Sequence, residues 1–228
     1  MATVHDISGF QIFSDSEIGH AHMVAHRMLD MGRANKGHEL LSNWLRGRTG
    51  EGAEWVHIQW HMLVFELAIG RWQSAYDRFT TQVLPAARTS DLAVTDAPSG
   101  LWRLALAAPA PIALPWEHVA TRARQRLRAE CKPYAALHDL LALAGARDVR
   151  SITGWMQQCR TDGDGDDVLF GFSRSCLALA QGDLLGAARD LEPVLPSLPS
   201  LGGSRAQNEL FHQIYRFACE SGSRAHVA

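Results

Sequence analysis

The chain has 228 residues, 46% hydrophobic and 20% charged, with 22 basic against 24 acidic side chains and a net charge of −2. That length supports one sizeable core, and no basic field exists to gather nucleic acid or anionic lipid. No run of 18 apolar residues is present to cross a bilayer, and four cysteines scattered without CxxC spacing (Cys131, Cys159, Cys176, Cys219) read as reduced cytoplasmic thiols.

Residues 1–16 form an N-terminal extension with neither the basic nor the apolar region of a secretory signal. A single domain is expected over 17–222, with 223–228 as a tail. The first helical pattern, "HAHMVAHRMLDMG" (20–32), stops on a glycine, and "NKGHELLSNWLRG" follows as a second helix. "GRTGEG" (47–52) is glycine-rich, but no Lys-Ser/Thr follows it and no strand precedes it, so it is not a phosphate loop. "WVHIQWHMLVFELAIG" (55–70) also stops on glycine, and "WQSAYDRFTTQVLP" follows. "LWRLALAAPAPIALPW" runs out of helix at Ala108 into three prolines, which cannot continue it. "WEHVATRARQRLRAE" contains the basic stretch 121–128, read as one solvated helix face. "YAALHDLLALAG" (134–145) and "VRSITGWMQQC" make the next pair. "TDGDGDD" (161–167) reads as a loop; an EF-hand beginning at Asp162 would place Asp167 and Ser173 where glycine and glutamate are needed. "VLFGFSRSCLALAQG" (168–182) and "DLLGAARDLEPVL" form the last pair, then the loop "PSLPSLGG" (196–203). The final helix opens at "SRAQ", where Ser204 and Gln207 complete a capping box.

The glycine stops recur evenly. Gly32 to Gly70 is 38 residues, Gly70 to Gly145 is 75, and Gly145 to Gly182 is 37. Glycine just past an apolar-periodic run is the left-handed stop of a helix. With the proline-marked turn near 108, this gives five helix–turn–helix units with a period near 37, close to tetratricopeptide spacing. The fold expected is all-α: an α-solenoid of about five tetratricopeptide-like units plus a C-terminal capping helix. No such unit buries its apolar face alone, so neighbours must stack.

Two of the first helices carry histidine pairs four residues apart, His22/His26 and His57/His61. Each pair projects from one helix face. First helices of successive units line a common wall, so the four rings can converge, although the second pair sits three residues further from its glycine stop than the first. Neutral imidazoles at this spacing suit zinc, copper, iron or nickel. They also suit general acid–base chemistry, with His57, His61 and His138 as catalytic candidates. A third reading makes them hydrogen-bonded groove-lining residues. "HIQWH" lacks the glutamate of a zinc protease motif. Of the seven tryptophans most belong in the core, and Trp60, between His57 and His61, is placed facing the groove.

The stretches "AHMVAHRMLDMGR", "HIQWHMLVFELAIGRW", "DAPSGLWRLAL", "ALHDLLALAGA" and "LGGSRAQNELF" resemble the tetratricopeptide repeat protein 38 family, in that family's order, over about residues 20–215. The resemblance implies a soluble intracellular helical-repeat protein and no particular activity. By it, His22, His26, His57, Trp60 and His61 match the family's histidine-rich helices. Asp96 matches an aspartate before the "LWR" segment, and His138 a histidine before the "LAGA" turn. Gly202, Gly203, Ser204, Ala206 and Gln207 match its "GGSxAQ" motif. The chain departs from the family pattern at Asn208 and Glu209, where Arg-Asp is usual, at Ala135 and Ala136, where Asn-Asp is usual, and in being shorter than typical members.

Two functions are expected. The first is a binding protein that holds a small ligand or peptide in a histidine- and tryptophan-lined groove formed by His22, His26, His57, Trp60, His61, Asp96 and His138. The alternative is an enzyme or metal-dependent protein that uses His22, His26, His57 and His61, with a divalent transition metal as the cofactor in view. No nucleic-acid or membrane partner is expected. A homodimer through a terminal helix is, because the ends of a short solenoid expose apolar faces.

Overall fold

The structure, a computed structural model, describes residues 3–5, 11–13, 18–89, 91, 93–127, 132–162 and 167–225. The readings of Cys131, of loop residues 163–166 and of tail residues 226–228 fall outside these. Two three-residue strands, β1 (Thr3–His5) and β2 (Gln11–Phe13), pair antiparallel with Val4 opposite Ile12. The rest of the described chain is helix, turn or short connection, and none of its helices is long and apolar enough to cross a membrane.

The helices occur in the order the sequence predicts. α1 (Ile18–Asp30) is followed by α2 (Ala34–Leu45). α3 (Gly52–Ala68) is followed by α4 (Trp72–Arg78), which runs through a π turn (Phe79–Val83) into α5 (Leu84–Thr89). α6 (Asp96–Ala107) pairs with α7 (Trp116–Arg126), and α8 (Pro133–Gly145) with α9 (Val149–Asp162). α10 (Asp167–Gln181) pairs with α11 (Leu184–Leu191), and a 3₁₀ segment (Leu195–Leu201) leads to the long α12 (Arg205–Ala225).

Four of the turns share one hydrogen-bond pattern. At Gly32, Gly70 and Gly182 the glycine has φ between +65° and +81° and donates to the carbonyl three residues back. The next residue donates to the carbonyl five back, as in Arg33→Met28 at 2.8 Å. This is the Schellman stop, and it favours glycine because a Cβ is strained at positive φ. The fourth turn corrects the sequence reading. Arg147, not Gly145, takes the left-handed conformation (φ +57°), and Asp148 donates to Leu143. Gly145 is needed for a different reason: a Cβ there would lie 2.3 Å from the Trp116 indole. The capping box at Ser204 is present, with the Ser204 amide donating to Gln207 Oε1 (2.9 Å) and the Gln207 amide donating to Ser204 Oγ (3.3 Å).

The first helices of the pairs touch in series, α1 on α3, α3 on α6, α6 on α8 and α8 on α10. α3 is apolar nearly all round along its middle, where every residue from Val56 to Glu66 except His57 is buried. Its Ile58, Met62 and Phe65 join α1 and α2 in one core cluster, while Val56, Trp60, Leu63 and Val64 belong to the main core. Glu66 and Gln59, polar but buried in α3, are both satisfied by Arg78, the carboxylate through two bonds of 3.0 and 2.9 Å. α12 does more than cap the last pair. It packs on α11 and also reaches α6 and α1.

Candidate metal centre

α1 delivers His22 and His26 from one face, and α3 delivers His57 and His61 from the face turned toward α1. The rings meet. Centroids lie 4.5 Å apart for His22–His26, 4.8 Å for His22–His57, 4.5 Å for His26–His61 and 4.6 Å for His57–His61. The offset of three residues between the pairs, close to one helical turn, keeps the face. One ring nitrogen from each residue falls within 4.8 Å of the other three. A tetrahedral zinc with Zn–N near 2.1 Å needs nitrogens about 3.4 Å apart, so sub-ångström to ångström ring movements close the set.

Hydrogen bonding fixes which nitrogens face inward. His57 Nδ1 lies 2.9 Å from Asp96 Oδ1, a buried carboxylate in the first turn of α6, so the ring donates there and Nε2 is left as a lone pair. A carboxylate behind an imidazole is the arrangement that orients a ligating histidine and raises its basicity. His22 and His26 share one hydrogen bond between their Nε2 atoms at 2.8 Å, so both could ligate a metal through Nε2 if the shared proton were carried on Nδ1 instead. His61 is fully buried, and neither of its nitrogens has a hydrogen-bond partner. Leaving such a group unpaired costs roughly 1–3 kcal/mol.

Three of the rings, His22, His26 and His61, are held toward the neutral form. Burial lowers the His22 pKa to about 4, and the neighbouring His57 and His26 push the same way against the pull of Asp96. Burial and His57 lower His26, and burial with its three ring neighbours holds His61 well below the ordinary imidazole value. A metal ligand must be neutral, so this environment disfavours protons, the competitor of a metal ion.

The other sequence candidates fall around this cluster. Trp60 is wholly buried rather than facing a groove; it stacks flat on His57 (5.3 Å, 8°) and meets His61 edge-on at 4.9 Å. His138 stands apart, its ring packed on Tyr134 and Phe211. Its Nδ1 donates to the Tyr134 carbonyl (3.0 Å), its Nε2 is buried without a partner, and burial lowers its pKa to about 4. Three nearby residues were not singled out from sequence. Glu54 is one helical turn before His57, a spacing that does identify it. Thr95 adjoins Asp96, and its hydroxyl is 3.5 Å from Asp96 Oδ1. Arg103, two turns along α6 from Asp96, sits with its guanidinium 5.6 Å from the Trp60 ring. A cavity of about 320 Å³ runs along the His22–His57 edge of the cluster, with Glu54, Thr95, Asp96 and Ile18 in its walls.

No family model matches the chain, and no solved structure matches it.

Proposed function

We propose that this protein binds one divalent transition-metal ion through His22, His26, His57 and His61, on the inner wall of an α-solenoid of tetratricopeptide-like units. The convergence of four ring nitrogens, with His61 buried and unpaired among them, carries the reading. An all-imidazole set suits zinc, copper, nickel or cobalt and not magnesium or calcium, which take oxygen ligands. The Asp96 carboxylate behind His57 and the suppressed basicity of His22, His26 and His61 both support it. The solenoid reading rests on the shared turn geometry and on the serial contact of first helices. An open peptide groove along the first helices is the weaker reading, because α12 packs against two of them, α1 and α6.

Equilibrium dialysis of the purified protein against zinc or cobalt is expected to give one ion per chain. His57→Ala should lower affinity by more than about tenfold, and Asp96→Asn by about ten- to a hundredfold, with helical content unchanged. Absence of stoichiometric metal, or equal affinity in His57→Ala, overturns the reading.

A further inference from the structure

A structural metal is enclosed by its ligands, whereas a metal that exchanges ligands keeps an approachable side. The histidine cluster is asymmetric in this respect. His61 is wholly buried, but His22, His26 and His57 are each partly exposed, and the His57 side chain retains 20% of its surface. One ring from each helix, His22 from α1 and His57 from α3, forms part of the wall of the 320 Å³ cavity. That volume lies within the range of small-molecule sites, roughly 300–1,000 Å³.

The rest of the wall says what fits. Among the described residues it contains two carboxylates, Glu54 and Asp96, one hydroxyl, Thr95, and no lysine or arginine. Asp96 is occupied by His57. Glu54 is exposed, is one turn from His57 on the same helix, and has no ion-pair partner among the described residues. A ligand donor atom bound to the metal from this side shares the cavity with Glu54, the carboxylate of the described wall not already committed to an imidazole. An anion entering there meets negative charge with no wall cation to offset it, while a neutral molecule bearing an N–H or O–H finds an acceptor.

We infer that the metal centre takes an additional, exchangeable ligand from the cavity bounded by His22, His57, Glu54 and Thr95. The ligand class is a small neutral molecule with a lone pair for the metal and a hydrogen-bond donor for Glu54, such as an azole, amide or alcohol. This rests on the metal reading above. It adds that the ion is reactive toward ligands and that Glu54 sets their charge.

The test uses the full chain loaded with cobalt, whose visible absorption reports coordination number and ligand set. Imidazole is the neutral probe, since one ring nitrogen can bind the metal while the other donates to Glu54; azide is the anionic probe. Imidazole is expected to change the cobalt bands saturably while cobalt stays bound through desalting, and azide to bind about tenfold more weakly. In Glu54→Ala, cobalt stoichiometry should be unchanged and the preference for imidazole over azide should shrink by about threefold or more. Cobalt bound one to one with bands that neither probe alters overturns the exchangeable position and leaves the metal reading standing. Azide binding as tightly as imidazole, or a preference unmoved in Glu54→Ala, overturns the role of Glu54. Failure to bind cobalt at all overturns the underlying metal reading and this inference with it.

Discussion

At the scale of single residues the most informative group is His61. A buried imidazole normally has at least one nitrogen bonded to backbone, side chain or water, as His138 does through the Tyr134 carbonyl. His61 has neither nitrogen bonded, and three other rings crowd it. A polar group held this way is unfavourable in the metal-free protein and favourable only when a metal ion or a hydrogen-bond donor reaches it. Replacing it with an apolar residue of similar volume separates the two states. His61→Leu is expected to melt, without metal, at the same temperature as the natural protein or a few degrees above it. Added zinc should raise the melting temperature of the natural protein and leave that of His61→Leu nearly unmoved. Both are read by scanning calorimetry with and without metal. A metal-free His61→Leu that melts many degrees lower would mean that the imidazole contributes to the core in its own right, and the metal argument would lose its main support.

At the scale of elements, the helical pairs were legible because their signals are local. An apolar period of 3.6 ending on glycine identifies helix and stop within a dozen residues, and α1, α3 and α10 each end on the glycine that the sequence marks. α8 shows the limit of that logic. Its left-handed stop is carried by Arg147, which no propensity rule selects, while Gly145 is glycine because Trp116 from α7 lies against it. The site was half legible for the same reason. The i, i+4 pairs can be read from each helix, but Asp96 entered only through family resemblance, its pairing with His57, 39 residues away, has no sequence signal, and the return of α12 onto α1 and α6 is a long-range contact with no local signature. Two glycine substitutions expose the difference between packing and propensity. Gly145→Ala forces the Trp116 indole to move and should cost about 1–3 kcal/mol. Gly154→Ala, on the exposed side of α9 with nothing near its Cβ, should stabilise by about 0.5–1 kcal/mol through helix propensity alone. Denaturant midpoints at constant slope measure both. Equal effects at the two positions would show that the α7–α8 contact is not built as described.

At the scale of the whole molecule, α12 joins the last pair to the first and third, and the rings of His22 and His26 in α1, His61 in α3 and His138 in α8 all lose water on folding. Unfolding exposes them together. His22 and His138 have folded pKa values of about 4, and His26 and His61 are also lowered, against 6.5 for an ordinary imidazole. Below pH 6.5 the unfolded chain therefore takes up protons that the folded chain refuses, until His22 and His138 titrate in the folded chain near pH 4. Since stability rises with pH wherever the unfolded state holds more protons, it must fall as pH drops from 6.5 toward 4 and stay flat above 7. The carboxylates act in another window. Asp91, Asp148 and Glu117 are lowered from 3.8, 3.8 and 4.5, so the stability they contribute is present above those values and is lost only as pH falls further. A decline in the melting temperature of metal-free protein between pH 6.5 and 4.5 is thus the signature of the imidazoles. His61→Leu, with one such ring fewer, should show a shallower decline. If the melting temperature is constant across that interval, the rings are not held neutral by the fold, and the claim that the site excludes protons in favour of a metal fails with it.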